Sequence, residues 1–154
     1  MTTIQFYHLR STSRERAVPK LMEKALDSGA KVVLMAGAQP ALKAMSDALW
    51  TNDPNSFIPH GFAREAHAAE QPILLTLADE NSNQADILCV LDGVSPASLP
   101  SYKKVLDVFD GSDESAVTAA RQRWSAYKAQ GHAMQYVQQQ PGGSWKVEMR
   151  VEGA

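Results

Sequence analysis

A short continuous apolar run set between two helix-patterned stretches limits what this chain can fold into. Lys31–Met35 (KVVLM) shows no polar alternation, so as a strand it must be buried on both faces. Before it, Ile4–Leu9 (IQFYHL) has the β-branched and aromatic content of a strand. Arg10–Arg16 follows, where Ser11, Thr12 and Ser13 offer N-caps; Val18, Leu21, Met22, Ala25 and Leu26 then recur at helical spacing. Pro19 is expected within the first turn of that helix, where a missing N–H costs little, and Ser28-Gly29 ends it. After the apolar run, Gly37 marks a turn, and Pro40 opens a second helix with Ala38, Leu42, Met45 and Leu49 on one stripe. A β-α-β-α start predicts a Rossmann-like open, mostly parallel sheet with right-handed crossovers.

The remainder extends that sheet. Thr51–Gln71 is a long connection containing Pro54, Pro59 and Gly61, and connections of that length are usually functional. Pro72–Leu77 (PILLTL) and Asp86–Leu91 (DILCVL) are two strands separated by the polar stretch Asp79–Gln84 (DENSNQ), which suggests a hairpin; Asp92-Gly93 is a turn. Lys104–Phe109 (KVLDVF) is another strand. A third helix starts at Asp113 or Ser115, runs to about Gln130 and stops at Gly131. His132–Gln138 and Ser144–Val151 flank Pro141-Gly142-Gly143 as a terminal hairpin, its second strand alternating Trp145, Val147, Met149 and Val151 with polar residues in a half-buried pattern. With 154 residues, 44% of them hydrophobic, positions 1 to 154 fit one domain with its own core.

The chemistry this scaffold often carries is not written in the sequence. There is no G-x-G-x-x-G and no G-x-x-x-x-G-K-[ST], so no loop is shaped to bring backbone amides onto a phosphate. His8, His60, His67 and His132 show no i, i+3 or i, i+4 pairing, so no metal site is expected. Cys89, the single cysteine, lies inside an apolar strand as a small core residue, without a nearby His to activate it. No catalytic residue, cofactor or metal is assigned. The alternative is a nucleotide-dependent enzyme on a Rossmann-like sheet, with a pocket at the strand ends near Gly37. A net charge of −2 argues against direct DNA binding, which draws most of its non-specific affinity from phosphate neutralisation. No signal peptide and no apolar run near the ~20 residues of a bilayer span is visible, so a cytoplasmic location is expected.

Helical projection identifies two candidate binding faces. Trp50 falls roughly 140° from Met45, on the polar side of the second helix beside Lys43, Ser46 and Asp47. Phe57, Ile58, Pro59 and Phe62 follow in the loop, either covering Trp50 or forming an aromatic patch with it. On the third helix, Ala116, Ala120 and Tyr127 project to a core side, and Arg121, Ser125 and Lys128 project to the other, with Trp124 at the boundary. A basic strip beside an aromatic shoulder suits a partner with carboxylates and an apolar terminus.

Several segments together resemble one family. They are Phe6-Tyr7-His8-Leu9, Ser28–Val33 (SGAKVV), Ala48-Leu49-Trp50 with Ser56–Gly61 (SFIPHG), Gln71–Thr76 (QPILLT), Val108–Asp110 (VFD) and Arg121–Gly131 (RQRWSAYKAQG). In this order they resemble the chi subunits of bacterial DNA polymerase III. The resemblance implies a non-catalytic clamp-loader accessory subunit that bridges to single-stranded DNA-binding protein (SSB), with DNA reached only indirectly. It implies a surface for the psi subunit at Trp50 and Phe57, with Pro59 beside them. It implies a separate surface for the acidic, Pro-Phe-ended SSB tail at Arg121, Trp124, Ser125 and Lys128. Ser125 stands where the best-known members have a lysine, and Lys128 is the nearest basic substitute.

Overall fold

The computed structural model describes residues 2–51, 58–63, 65, 67–77, 81, 83–91 and 102–153. One eight-stranded sheet organises them, in the order β3-β4-β2-β5-β6-β1-β7-β8. Its strands are β1 (Thr3–Leu9), β2 (Val32–Met35), β3 (Gly61–Phe62), β4 (Ile73–Thr76), β5 (Ile87–Val90), β6 (Lys104–Asp110), β7 (Ala133–Gln139) and β8 (Trp145–Val151). Every neighbouring pair is parallel except β7–β8, an antiparallel hairpin. The helices are α1 (Arg14–Asp27), α2 (Gln39–Thr51) and α3 (Glu114–Ala129).

The sheet is buried on both faces where the parallel strands lie, so β2, β4 and β5 are buried at every position, as continuous apolar runs require. One core packs α1 and α2, through residues such as Met22, Leu42, Met45 and Leu49, against Leu34, Leu75, Cys89 and Leu106. The other packs α3, through Ala120 and Tyr127, against Ile4, Phe6, Val105 and Met134. α1 follows β1 across one face, whereas α3 follows β6 across the other. β1 and β6 are neighbours, so the chain diverges between them, and α3 covers the row Phe6–Asp107 and Phe6–Tyr136.

Several expectations change. Pro72–Leu77 and Asp86–Leu91 do not form a hairpin: β4 and β5 both pair with β2, parallel, one on each side. The strands are only four residues long, about 13 Å, which is a short distance for the chain to return. Asn83 anchors that return: its buried Nδ2 donates to the carbonyls of Val32 (3.2 Å), which begins β2, and Gln71 (2.9 Å), just before β4. Pro19 lies in the second turn of α1, not the first, because the helix starts at Arg14. The ring is buried there, and that packing accompanies the loss of one helical N–H donor. Ala38 is exposed and precedes α2, leaving Leu42, Met45 and Leu49 as the buried stripe. The long connection contains β3, too short to show a strand pattern. On β8 the half-buried alternation holds only at its ends. Val147 and Met149 are exposed, and the ladder is irregular between Tyr136 and Val137. Asp92-Gly93 lies outside the described residues.

Candidate protein-binding surfaces

α3 is held in a fixed rotation, and that rotation decides what it displays. Asp113 caps its N-terminus, Oδ1 accepting from the N–H of Ser115 at 2.9 Å and of Ala116 at 3.4 Å. Arg123 reaches down to β6 and forms a fork with buried Asp107: Nε donates to Oδ2 at 2.6 Å and Nη2 to Oδ1 at 2.8 Å. Burial pushes the Asp107 carboxyl up, and the Arg123 hydrogen bond and charge work against that shift. The guanidinium also lies 5.9 Å from the Phe6 ring centre. Tyr127 and Ala120 complete the buried side. With Arg123 clamped inward, Arg121, Ser125 and Lys128 all point to solvent, and Trp124 is half-buried at the shoulder.

Trp124 rests on the sheet. It meets Phe6 edge-on at 5.5 Å between ring centres and Tyr136 at 5.8 Å. Tyr136 continues the aromatic layer to Phe109 at 6.2 Å and His8 at 5.8 Å, and its hydroxyl is hydrogen-bonded to His8 Nδ1. Gly111 packs against the other side of His8; a Cβ there would collide with the imidazole and with the Leu9 carbonyl. Burial lowers the His8 pKa, the charges of Arg10 and Arg121 lower it further, and Asp110 opposes them. Sequence reasoning found Arg121, Trp124, Ser125 and Lys128 from helical spacing, and the structure brings them to one shoulder. It missed His8, Phe109 and Tyr136, which local spacing cannot join to Trp124, and the inward role of Arg123.

The second surface is the end of α2. Trp50 is 57% exposed despite its size, and its ring meets His60 at 5.0 Å. His60 is fixed by two partners: Nδ1–H donates to the Ile58 carbonyl at 2.8 Å, which leaves Nε2 to accept from the Ser46 hydroxyl at 3.1 Å. Ile58 is buried and Pro59 half-buried beside them. Phe57 lies outside the described residues. The Ser56–Gly61 motif contains His60 and was the sequence signal for it.

In an open α/β sheet, a ligand crevice is expected where helices diverge from adjacent strands. Here that place is between β1 and β6, away from Gly37. A cleft of about 590 Å³ opens there, lined by residues including Arg14, Arg123, Glu15, Asp110 and Asp113. Asp113 is committed to capping α3, and Asp110 Oδ1 accepts from the N–H and hydroxyl of Ser112. Glu15 is paired with Arg14 at 3.3 Å. Cys89, in the core under α1 and α2, is fully buried, and burial pushes its thiol far up. Among the described residues, no helix is long and apolar enough to cross a membrane.

Comparison with known proteins points to one family. The family described as DNA polymerase III chi subunit, HolC, matches residues 1–135. A DNA polymerase III subunit chi of Pseudomonas aeruginosa is 30% identical over 139 residues, 88% of this chain and 95% of that protein. The subunit chi of Haemophilus influenzae is 29% identical, covering 84% of this chain and 92% of its own length. That of Escherichia coli is 25% identical, covering 76% and 80%. The match spans the sheet from β1 into β7 and includes both surfaces, and on it the chain belongs to the DNA polymerase III chi subunit family.

Proposed function

We propose that this protein is a non-catalytic tether of the replication machinery, holding a clamp-loader complex to SSB-coated DNA through the acidic C-terminal tail of SSB. The observation that carries the reading is the shoulder of α3. Exposed Arg121 lies one turn from half-buried Trp124, which is backed by the sheet's aromatic layer. Arg121 pairs with a carboxylate of the tail, Trp124 covers its terminal phenyl ring, and Lys128 adds positive charge one turn on. Serine at position 125 removes a charge from the strip without blocking it. Single-tail affinity is modest and salt-sensitive because the charges are on the rim, and several tails on one SSB assembly raise it by avidity. The protein acts in the cytoplasm as one domain, needs no cofactor and reaches DNA only through SSB.

The Trp50 surface is the place for the psi subunit. A tryptophan held against His60 presents a rigid apolar anchor, with Pro59 next to it and Phe57 following the helix in sequence. The test is titration of a peptide matching the SSB tail against wild type, Arg121→Ala and Trp124→Ala. Both substitutions should weaken binding at least tenfold, with Trp50→Ala unaffected. Unchanged affinity in Arg121→Ala, or no binding by wild type, refutes the assignment.

A further inference from the structure

Beside the aromatic layer that Trp124 rests on, the backbone that continues β1 is itself held by hydrogen bonds. The amide oxygen of Gln139, a buried residue at the end of β7, accepts from three consecutive backbone N–H groups: Arg10 at 3.1 Å, Ser11 at 3.0 Å and Thr12 at 3.2 Å. Its Nε2 donates to the Thr12 hydroxyl at 2.8 Å. On the other side, Gly111 N–H donates to the Leu9 carbonyl at 2.8 Å. The backbone that presents Arg10 is therefore pinned to both neighbouring strands. Between Arg10 and α3 lies the ring sequence His8, Tyr136 and Trp124, each in edge contact with the next. The charges of Arg10 and Arg121 both act on His8. Two exposed cations from different elements thus flank one aromatic floor.

We propose that the acidic-peptide site is a cleft between α3 and the end of β1, in which Arg10 is a second carboxylate-binding residue opposite Arg121 and the hydrogen-bonded His8–Tyr136 pair positions Trp124. This rests on the reading of the α3 shoulder as a tail-binding site and extends it to a second element. The ligand is an acidic peptide ending in an aromatic residue: the charge demands carboxylates and the floor demands a ring. Groups facing His8 are Tyr136 from β7, Arg121 from α3, Arg10 from its own strand end, and Asp110 and Gly111 from the end of β6. Burial first, and then the charges of Arg10 and Arg121, hold the His8 imidazole below its ordinary range. A carboxylate bound between Arg10 and Arg121 offsets their charge at the imidazole, so His8 takes up a proton more readily in the complex. Binding therefore tightens as pH falls from 8 to 6, a range in which peptide carboxylates stay ionised.

The experiment measures the affinity of an acidic peptide ending in Pro-Phe by fluorescence anisotropy from pH 8 to 6. The proteins are wild type, Arg121→Ala, Arg10→Gln, His8→Gln, Tyr136→Phe and His132→Gln, with thermal melts to confirm folding. Arg10→Gln should weaken binding about fivefold at low salt, the scale of one screened charge pair. Wild type should gain affinity on acidification, through the one proton that His8 takes up in the complex. His8→Gln should flatten that profile, and His132→Gln should leave it intact. Tyr136→Phe, which deletes only the hydroxyl, should weaken binding by about threefold. If Arg121→Ala abolishes binding while Arg10→Gln and the pH profile match wild type, the cleft is refuted and the helix shoulder stands. If wild type binds no peptide, both fall.

Discussion

Arg123→Met deprives Asp107 of its partner and tests whether one buried ion pair sets the rotation of α3. The side chains are 10% and 3% exposed, so the carboxylate left behind has almost no access to water. Methionine keeps much of the apolar stem and the contact with Phe6, so packing loss is minor and the electrostatic loss dominates. Removing one partner of a buried pair costs about 3–5 kcal/mol, which lowers the Tm of a protein this size by about 10 °C. Burial already pushes the Asp107 carboxyl up, and loss of Arg123 removes the groups that oppose this. A carboxyl whose folded pKa exceeds its unfolded value binds extra protons in the folded state. Stability of the variant should therefore fall as pH rises from the ordinary carboxylate value near 4 (about 3.9) toward the folded one. Urea denaturation at pH 5 and pH 8 reads this directly: the deficit should be smaller at pH 5. Combining Arg123→Met with Asp107→Leu removes both charges and should recover most of the loss. A variant within about 1 kcal/mol of wild type at pH 8, or a deficit that does not change with pH, would refute the argument.

Other outcomes follow from the same geometry. Trp50→Ala removes a ring that is mostly in water, so stability should change by less than about 1 kcal/mol while association with a psi partner is lost in a pull-down with purified subunits. Retained association would remove Trp50 from that surface. Gly111→Ala places a methyl group against the His8 ring and the Leu9 carbonyl, and should destabilise by about 1–3 kcal/mol in chemical denaturation; a neutral result would show that the β6–α3 junction yields easily. Cys89 has no exposed surface and a thiol pushed far up by burial, so iodoacetamide should label it only in denaturant. Native-state labelling at the rate of a free thiol would contradict the buried strand.

Whatever depends on neighbours along the chain was legible without the fold. A continuous apolar run marked β2 as a strand buried on both faces, β4 and β5 were legible as strands, and helical spacing put Arg121, Ser125 and Lys128 on one side of α3 with Trp124 at its edge. Projection placed Trp50 off its helix's core stripe, and it is the most exposed large apolar residue among those described. What spacing cannot show is which strand comes to lie beside which. A polar stretch between two apolar runs fits a hairpin or a return crossing equally well, and only the insertion of β2 between β4 and β5 decides between them. The same limit hid the floor of the candidate site. Arg123 and Asp107 are sixteen residues apart, and His8 and Tyr136 are 128 apart. They meet because β1 is inserted between β6 and β7 while α3 crosses over it. Composition argues for one domain with its own core, and helical geometry finds the exposed residues of its two candidate faces. The strand order then places a second cation and an aromatic layer beside them, because side chains from distant segments share a surface only after the sheet is assembled.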